Sequence, residues 1–179
     1  MILSPSRLKS FPNSDEIVSD LDIREKISPE GVGYDLRVAR IENLVGSGSL
    51  LIETRHTGKT KTIGDITVSG NEILKLKGGG IYLASTIEKF KLPENMAAVF
   101  HPRSTLFRSG VIFQSGVAPY GYEGPMTFLI YVANPAGFEI QLGARFAHVV
   151  IHRVSGHSSA YRGQWQGGRI TTTKSERQI

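Results

Sequence analysis

The chain has 179 residues, 40% hydrophobic and 21% charged, enough for one domain with a real core. It has no cysteine, which excludes disulfides, thiolate metal sites and cysteine nucleophiles. The formal charge of +5 is spread through "KTK", "KLK" and "EKFK", where basic and apolar residues alternate as on outer strand faces. This distribution argues against nucleic acid as the main partner and suits a small polyanion such as a nucleoside triphosphate.

In chain order, "MILSPSRLKSF" holds only a three-residue apolar start. That is too short for the apolar core of a signal peptide. No run approaches the roughly 18–20 apolar residues of a membrane span, so the expectation is a cytoplasmic protein without membrane contact. Ser4 followed by Pro5 predicts a short helix, capped by the serine and started by the proline. "SDEIVSDLDIREKI" fits a short helix or a strand. From about residue 31 the pattern changes to short segments: "YDLRVARIE", "LLIETR", "ITVS", "EILKLK", "GIYLAS", "KFKLP", "MAAVFH", "GVIFQ", "MTFLIYVA", "FEIQL" and "FAHVVIHRV". Many alternate, and glycine, proline or asparagine separates most of them, so they predict strands of a sandwich, jelly roll or closed barrel. The last residues, "GHSSAYRGQWQGGRITTTKSERQI", show little strand pattern. The expected organisation is a β domain over 1–155, with an N-terminal appendage over 1–30, and a flexible C-terminal arm over 156–179.

Four stretches carry candidate chemistry. In "GVGYDLRV", Tyr34, Leu36 and Val38 alternate with Asp35 and Arg37, which share the opposite face; an aspartate here can also simply bond its own turn. In "HPRSTLFRSG", Arg103 and Ser104 pair a guanidinium fork with a hydroxyl, a combination suited to phosphate oxygens, and Arg108 adds a second cation. The hairpin over 111–124 has Gly116, Gly121 and Gly124, where backbone can approach a ligand closely. "YRGQWQGG" mixes glycine with Arg162, Gln164, Trp165 and Gln166, and could order over a phosphate chain. His148 and His152 lie four apart on one strand, about 13 Å at roughly 3.3 Å per residue, too far to chelate one metal directly. No metal-ligating residues are assigned.

Together with "FKLPENM", "GYEG" and "YVANPAGFEIQLGARFAHVVIHRV", these stretches resemble the dUTPase and dCTP deaminase superfamily, in particular its archaeal dUTPase-like branch, over about residues 31–169. The resemblance implies an all-β, distorted jelly-roll subunit in a homotrimer, with sites shared between neighbours. It implies that Arg103, Ser104 and Arg145 hold phosphates, and that hairpin backbone around Gly116 and Val117 holds a pyrimidine. Tyr122 would pack on the deoxyribose, and Tyr161 to Gly168, including Gln166 and Gly167, would cover the triphosphate. Mg²⁺ would enter on the substrate phosphates.

The family's two chemistries need different residues. Deamination needs a glutamate on the strand after the hairpin, and "MTFLIY" has Leu129 in its place and no carboxylate. Hydrolysis of dUTP to dUMP and diphosphate needs a carboxylate to take the proton of the attacking water. The family's hairpin aspartate is Pro119 here. Three readings stay open: Asp35 orders the water or the metal, Glu123 substitutes as base, or the protein binds a deoxynucleotide, or nothing, and does not turn it over.

Overall fold

The computed structural model describes residues 1–178. Strand β1 (Ile2–Leu3) leads into helix α1 (Pro5–Leu8). The Ser4 hydroxyl accepts from the Arg7 N–H and Pro5 opens the helix, as the sequence predicts. The ambiguous segment after it becomes both of its alternatives: helix α2 (Ser14–Ile17), strand β2 (Val18–Ser19) and helix α3 (Ile23–Ile27).

The strands that follow are β3 (Tyr34–Val45), β4 (Ser49–Leu50), β5 (Thr54–His56), β6 (Lys59–Asp65), β7 (Ile73–Leu76), β8 (Ile81–Lys91) and β9 (Met96–Pro102). Beyond them come β10 (Val111–Gln114), β11 (Glu123–Val132), β12 (Phe138–Gln141), β13 (Arg145–Arg153) and the two-residue β14 (Glu176–Arg177). Helices α4 (Ile66–Ser69) and α5 (Ser104–Arg108) interrupt them. "ITVS" is therefore a helical turn and not the expected strand. The Asp65 carboxylate accepts from the N–H and hydroxyl of Thr67, and the Ser69 hydroxyl bonds the Asp65 carbonyl, so local side-chain bonds outweigh β-branched preference. "LLIETR" likewise splits into the two arms of a hairpin, β4 and β5.

Nine strands form one antiparallel sheet whose main path runs β1–β13–β3–β8–β11–β10, with β9 on the far side of β13 and β6 on β3. This is the distorted jelly roll that the resemblance implies. Alternation puts Leu36 and Val38 of β3 and Phe128 and Ile130 of β11 in the core, and irregularities after Val38 and after Arg145 change the parity, so that Ile41 of β3 and both Phe146 and Val149 of β13 are buried as well. Phe113, Phe128 and Phe146 pack edge to face and tilted, with centroids 4.7–6.2 Å apart.

Two features of this frame position the candidate site. The antiparallel register of β13 on β3 sets His148 opposite Asp35, with a bulge between Arg145 and Ala147. Gly33 runs so close to β13 that a Cβ there would stand 1.8 Å from the Val149 carbonyl oxygen, so only glycine lets the two segments meet.

Candidate functional site

Three neighbouring strands bring the first group of predicted residues together. Arg103 follows β9 and its N–H bonds the Phe146 carbonyl, so it enters beside Arg145 at the start of β13. Both guanidiniums reach the same carboxylate oxygen of Asp35: Arg103 Nη1 bonds Asp35 Oδ2, and Arg145 Nη1 bonds it at 3.2 Å. Asp35 itself is 3% exposed. Two residues from the N-terminal appendage join them. Arg24 Nη1 lies 3.6 Å from Asp35 Oδ2, and the buried Glu25 accepts from the Asp35 N–H at 3.1 Å and from Arg24 at 2.7 Å. On the other side, His148 Nδ1 is 2.9 Å from Asp35 Oδ1.

The electrostatics follow from this packing. Burial pushes the His148 imidazole below its ordinary pKa. An adjacent aspartate would normally raise it, but three guanidiniums already neutralise Asp35, so a positive ring gains little there. The neutral ring with Nδ1–H donating to Asp35 is the tautomer that fits. The side chains of Arg24, Arg103 and Arg145 keep 40, 34 and 36% of their surface exposed, so an anion from solvent can reach all three.

The second group gathers elsewhere, in a cleft of about 910 Å³. The hairpin contributes Gly116, Val117, Pro119 and Tyr122 to its wall, the β4–β5 hairpin contributes Arg55 and His56, and the arm contributes Tyr161, Gln164, Trp165 and Arg169. Tyr122 is buried, its hydroxyl donates to the Pro125 carbonyl, and its ring meets Tyr161 edge to face at 5.7 Å. Burial first, and then Tyr161, push its phenol up to about 12, so it stays a neutral packing surface.

The arm reaches this cleft along its own chain. The Tyr161 N–H bonds the Tyr120 carbonyl, and the Gln166 amide donates to the Gly121 carbonyl and accepts from the Glu123 N–H. Gly124, at a φ of +124°, lies so close that a Cβ would stand 2.7 Å from the Gly167 carbonyl carbon. Farther on, Thr172 bonds Thr57, and Arg169 pairs with Glu176 beside β5.

Asp35, Arg103 and Arg145 do not line the cleft, and among the described residues no aspartate or glutamate does. Glu123 is exposed and faces a separate shallow groove with Glu16, Lys91 and Pro93. Ser104 and Arg108 are exposed on α5, where Arg108 lies over its neighbour Phe107. Leu129 stands on β11 opposite Leu83, an apolar pair. Arg24, Glu25, His148 and Arg55 are the residues that sequence reasoning missed. The partner of His148 lies not along its own strand but across the sheet, at Asp35. Among the described residues no group of three histidines or carboxylates could hold a metal. A hard cation such as Mg²⁺ would therefore depend on oxygens brought by a phosphate chain and on water.

The protein is thus an antiparallel jelly roll with an aromatic-lined cleft beside the β10–β11 hairpin and, apart from it, a half-exposed arginine cluster around Asp35. The sequence comparisons assign it more closely: residues 2–154 match the dCTP deaminase-like family, and the chain belongs to that family. Its relatives carry both of the family's activities in their names. It is 32% identical over 145 residues to the probable deoxyuridine 5'-triphosphate nucleotidohydrolase of Methanothermobacter thermautotrophicus, covering 81% of this chain and 91% of that one. It is also 32% identical over 167 residues to the deoxyuridine 5'-triphosphate nucleotidohydrolase of Methanocaldococcus jannaschii, covering 93% and 99%. To the dCTP deaminase of Pyrococcus furiosus it is 30% identical over 153 residues, covering 85% and 86%. The crystal structure of the 2'-deoxycytidine 5'-triphosphate deaminase from Agrobacterium tumefaciens superposes with a TM-score of 0.61 at 17% identity. The match covers 85% of this chain and 46% of that one, a likeness of fold.

Proposed function

We propose that this protein binds dUTP and hydrolyses it to dUMP and diphosphate, as a homotrimer in which the cleft of one copy meets the arginine cluster of the next. The observation that supports this is the split of the site. A cleft suited to a nucleoside, with Tyr122 for a sugar and hairpin backbone for a base, stands apart from a cluster suited to phosphates. Each half lacks what the other has. Arg103 and Arg145, with Ser104 on the neighbouring helix, would hold the phosphate chain, and the Tyr161–Gly168 segment would cover it. Asp35 is the carboxylate within that cluster that can orient a water toward the α-phosphorus. In that step the water oxygen bonds phosphorus, the bond to the bridging oxygen of the diphosphate breaks, and the water's proton leaves to solvent or a carboxylate. Mg²⁺ carried on the phosphates would neutralise the charge that develops on the leaving diphosphate.

A second reading has its own support. Pro119 occupies the wall where the hairpin base would stand, no carboxylate lines the cleft, and the Asp35 oxygens are already occupied by Arg103, Arg145 and His148. On this reading the protein binds a deoxynucleotide and releases it unchanged. Deamination has the least support, because Leu129 cannot carry a proton.

The deciding experiment is anion-exchange analysis of products from dUTP, dCTP and dTTP with Mg²⁺, alongside sedimentation at micromolar concentration. Release of dUMP and diphosphate by a trimer is the expected result. Binding with no product sinks the hydrolase and supports the second reading; a monomer sinks the shared site.

A further inference from the structure

Arg24 lies in the N-terminal appendage, outside every stretch that the sequence singles out for phosphates, yet it stands beside Arg145. The two guanidiniums flank the same pair of buried carboxylate oxygens. Arg24 Nη1 is 2.7 Å from Glu25 Oε1 and 3.6 Å from Asp35 Oδ2, and Arg145 Nη1 is 4.0 Å and 3.2 Å from the same two atoms. Arg103 Nη1 bonds Asp35 Oδ2 as well. The backbone of Arg24 is fixed at the start of α3, where its N–H bonds the Asp22 carboxylate at 2.9 Å. One terminal nitrogen of Arg24 is therefore tied to the same buried anions that hold Arg103 and Arg145.

Its other terminal nitrogen is held differently. Arg24 Nη2 donates to Glu30 Oε2 at 2.8 Å, and the Glu30 side chain is 73% exposed. An ion pair so open to water contributes little and exchanges readily for another anion. Glu30 thus occupies the place that an oxyanion from solvent would take. Three guanidiniums around one point suit an anion carrying several charges, and each planar fork matches two phosphate oxygens at once. The geometry points to Arg24 as a third phosphate-holding residue beside Arg103 and Arg145, taking a di- or triphosphate chain, with the Glu30 carboxylate as its exchangeable counter-ion in the free protein. This rests on the phosphate role given to the cluster above. It does not depend on hydrolysis, or on which copy supplies the nucleoside cleft.

Isothermal titration of the 179-residue chain with tripolyphosphate and, in parallel, with dUTP, both without added Mg²⁺, tests the assignment. Arg24→Gln should bind each about tenfold more weakly, the low end for hydrogen bonds to charged groups, because the side chain is partly exposed. Glu30→Gln should bind each about threefold more tightly, the scale of one exposed ion pair. In an Arg24→Gln background that gain should vanish, because the glutamate acts through the arginine. Far-UV circular dichroism checks that the variants fold, and Glu30, on the surface, decides the matter even if Arg24→Gln does not. If Arg24 served only to tie the appendage to β3, removing Glu30 would loosen it and strengthen nothing. Unchanged affinity in Arg24→Gln, no gain in Glu30→Gln, or a gain that persists without Arg24 overturns the inference and leaves Arg103 and Arg145 in their roles. Wild-type protein that binds neither tripolyphosphate nor dUTP overturns the phosphate reading of the cluster, and this inference with it.

Discussion

Asp35→Asn keeps the shape of the side chain and removes the charge on which three arginines converge. The consequences differ for stability and for anion binding. Taking one partner from a buried ion pair typically costs about 3–5 kcal/mol, because the other charge is left without compensation. Here the partners rehydrate in part, since Arg24, Arg103 and Arg145 keep 34–40% exposure. The expected loss is therefore about 2–3 kcal/mol, which is a fall in Tm of roughly 5–10 °C for a chain of this size. The same change frees Arg103 and Arg145, while Arg24 keeps Glu25 and Glu30. Tripolyphosphate, which carries no base or sugar, should then bind about tenfold more tightly, with a steeper salt dependence. The assays are thermal unfolding at fixed protein concentration and isothermal titration with tripolyphosphate at two ionic strengths. Unchanged stability together with unchanged or weaker tripolyphosphate binding would refute the idea that Asp35 holds these arginines in readiness. Under the hydrolase reading the variant also loses dUTP turnover while its phosphate affinity rises.

Three more expectations concern separate parts of the molecule. Pro119→Asp places a carboxylate on a cleft wall that has none, so dUTP hydrolysis measured by diphosphate release should rise, by up to about 10²–10⁴-fold, the usual contribution of a positioned base; no gain would mean that the cleft is not where the water is activated. Gly124→Ala puts a methyl against Gly167 at a backbone angle that favours glycine, so the arm should become accessible to limited proteolysis after Tyr161 while the 1–155 core still resists; equal protection of wild type and variant would show that this contact does not hold the arm. His148 has a pKa depressed by burial in the folded chain, so the unfolded chain takes up its proton first as pH falls. Stability should then drop as the pH falls below about 6.5, the ordinary histidine value, and His148→Gln should flatten that slope in chemical denaturation; a slope that persists assigns the effect to other groups.

Much of the fold is legible in short range. The Ser4–Pro5 start of α1 needs only the hydroxyl and the fixed proline ring. The strands of the sheet follow from alternation, because successive side chains on extended backbone point to opposite faces whatever lies beyond them. "ITVS" marks the limit of that rule, since four residues carry too little periodicity to outweigh the Asp65 cap. The hairpin, the Arg103–Ser104 pair and a proline at 119 that cannot take a proton are also properties of the sequence, because residue type decides whether a group can hold a phosphate or take a proton.

The tertiary structure decided which of those groups meet. Asp35 reads as a water-orienting aspartate in sequence, yet its oxygens face Arg103, Arg145 and His148, which lie 68, 110 and 113 residues away. That meeting depends on the register of β13 between β3 and β9, and a shift of one residue would turn His148 to the other face. That one cleft is walled by Arg55, on a hairpin that no motif singles out, and by Gln164 of the arm depends equally on how distant segments pack. Sequence determines local geometry and chemical capacity, because both are set within a few bonds. The distances at which charges pair, and the segments that wall a cleft, are set by contacts between residues far apart in the chain.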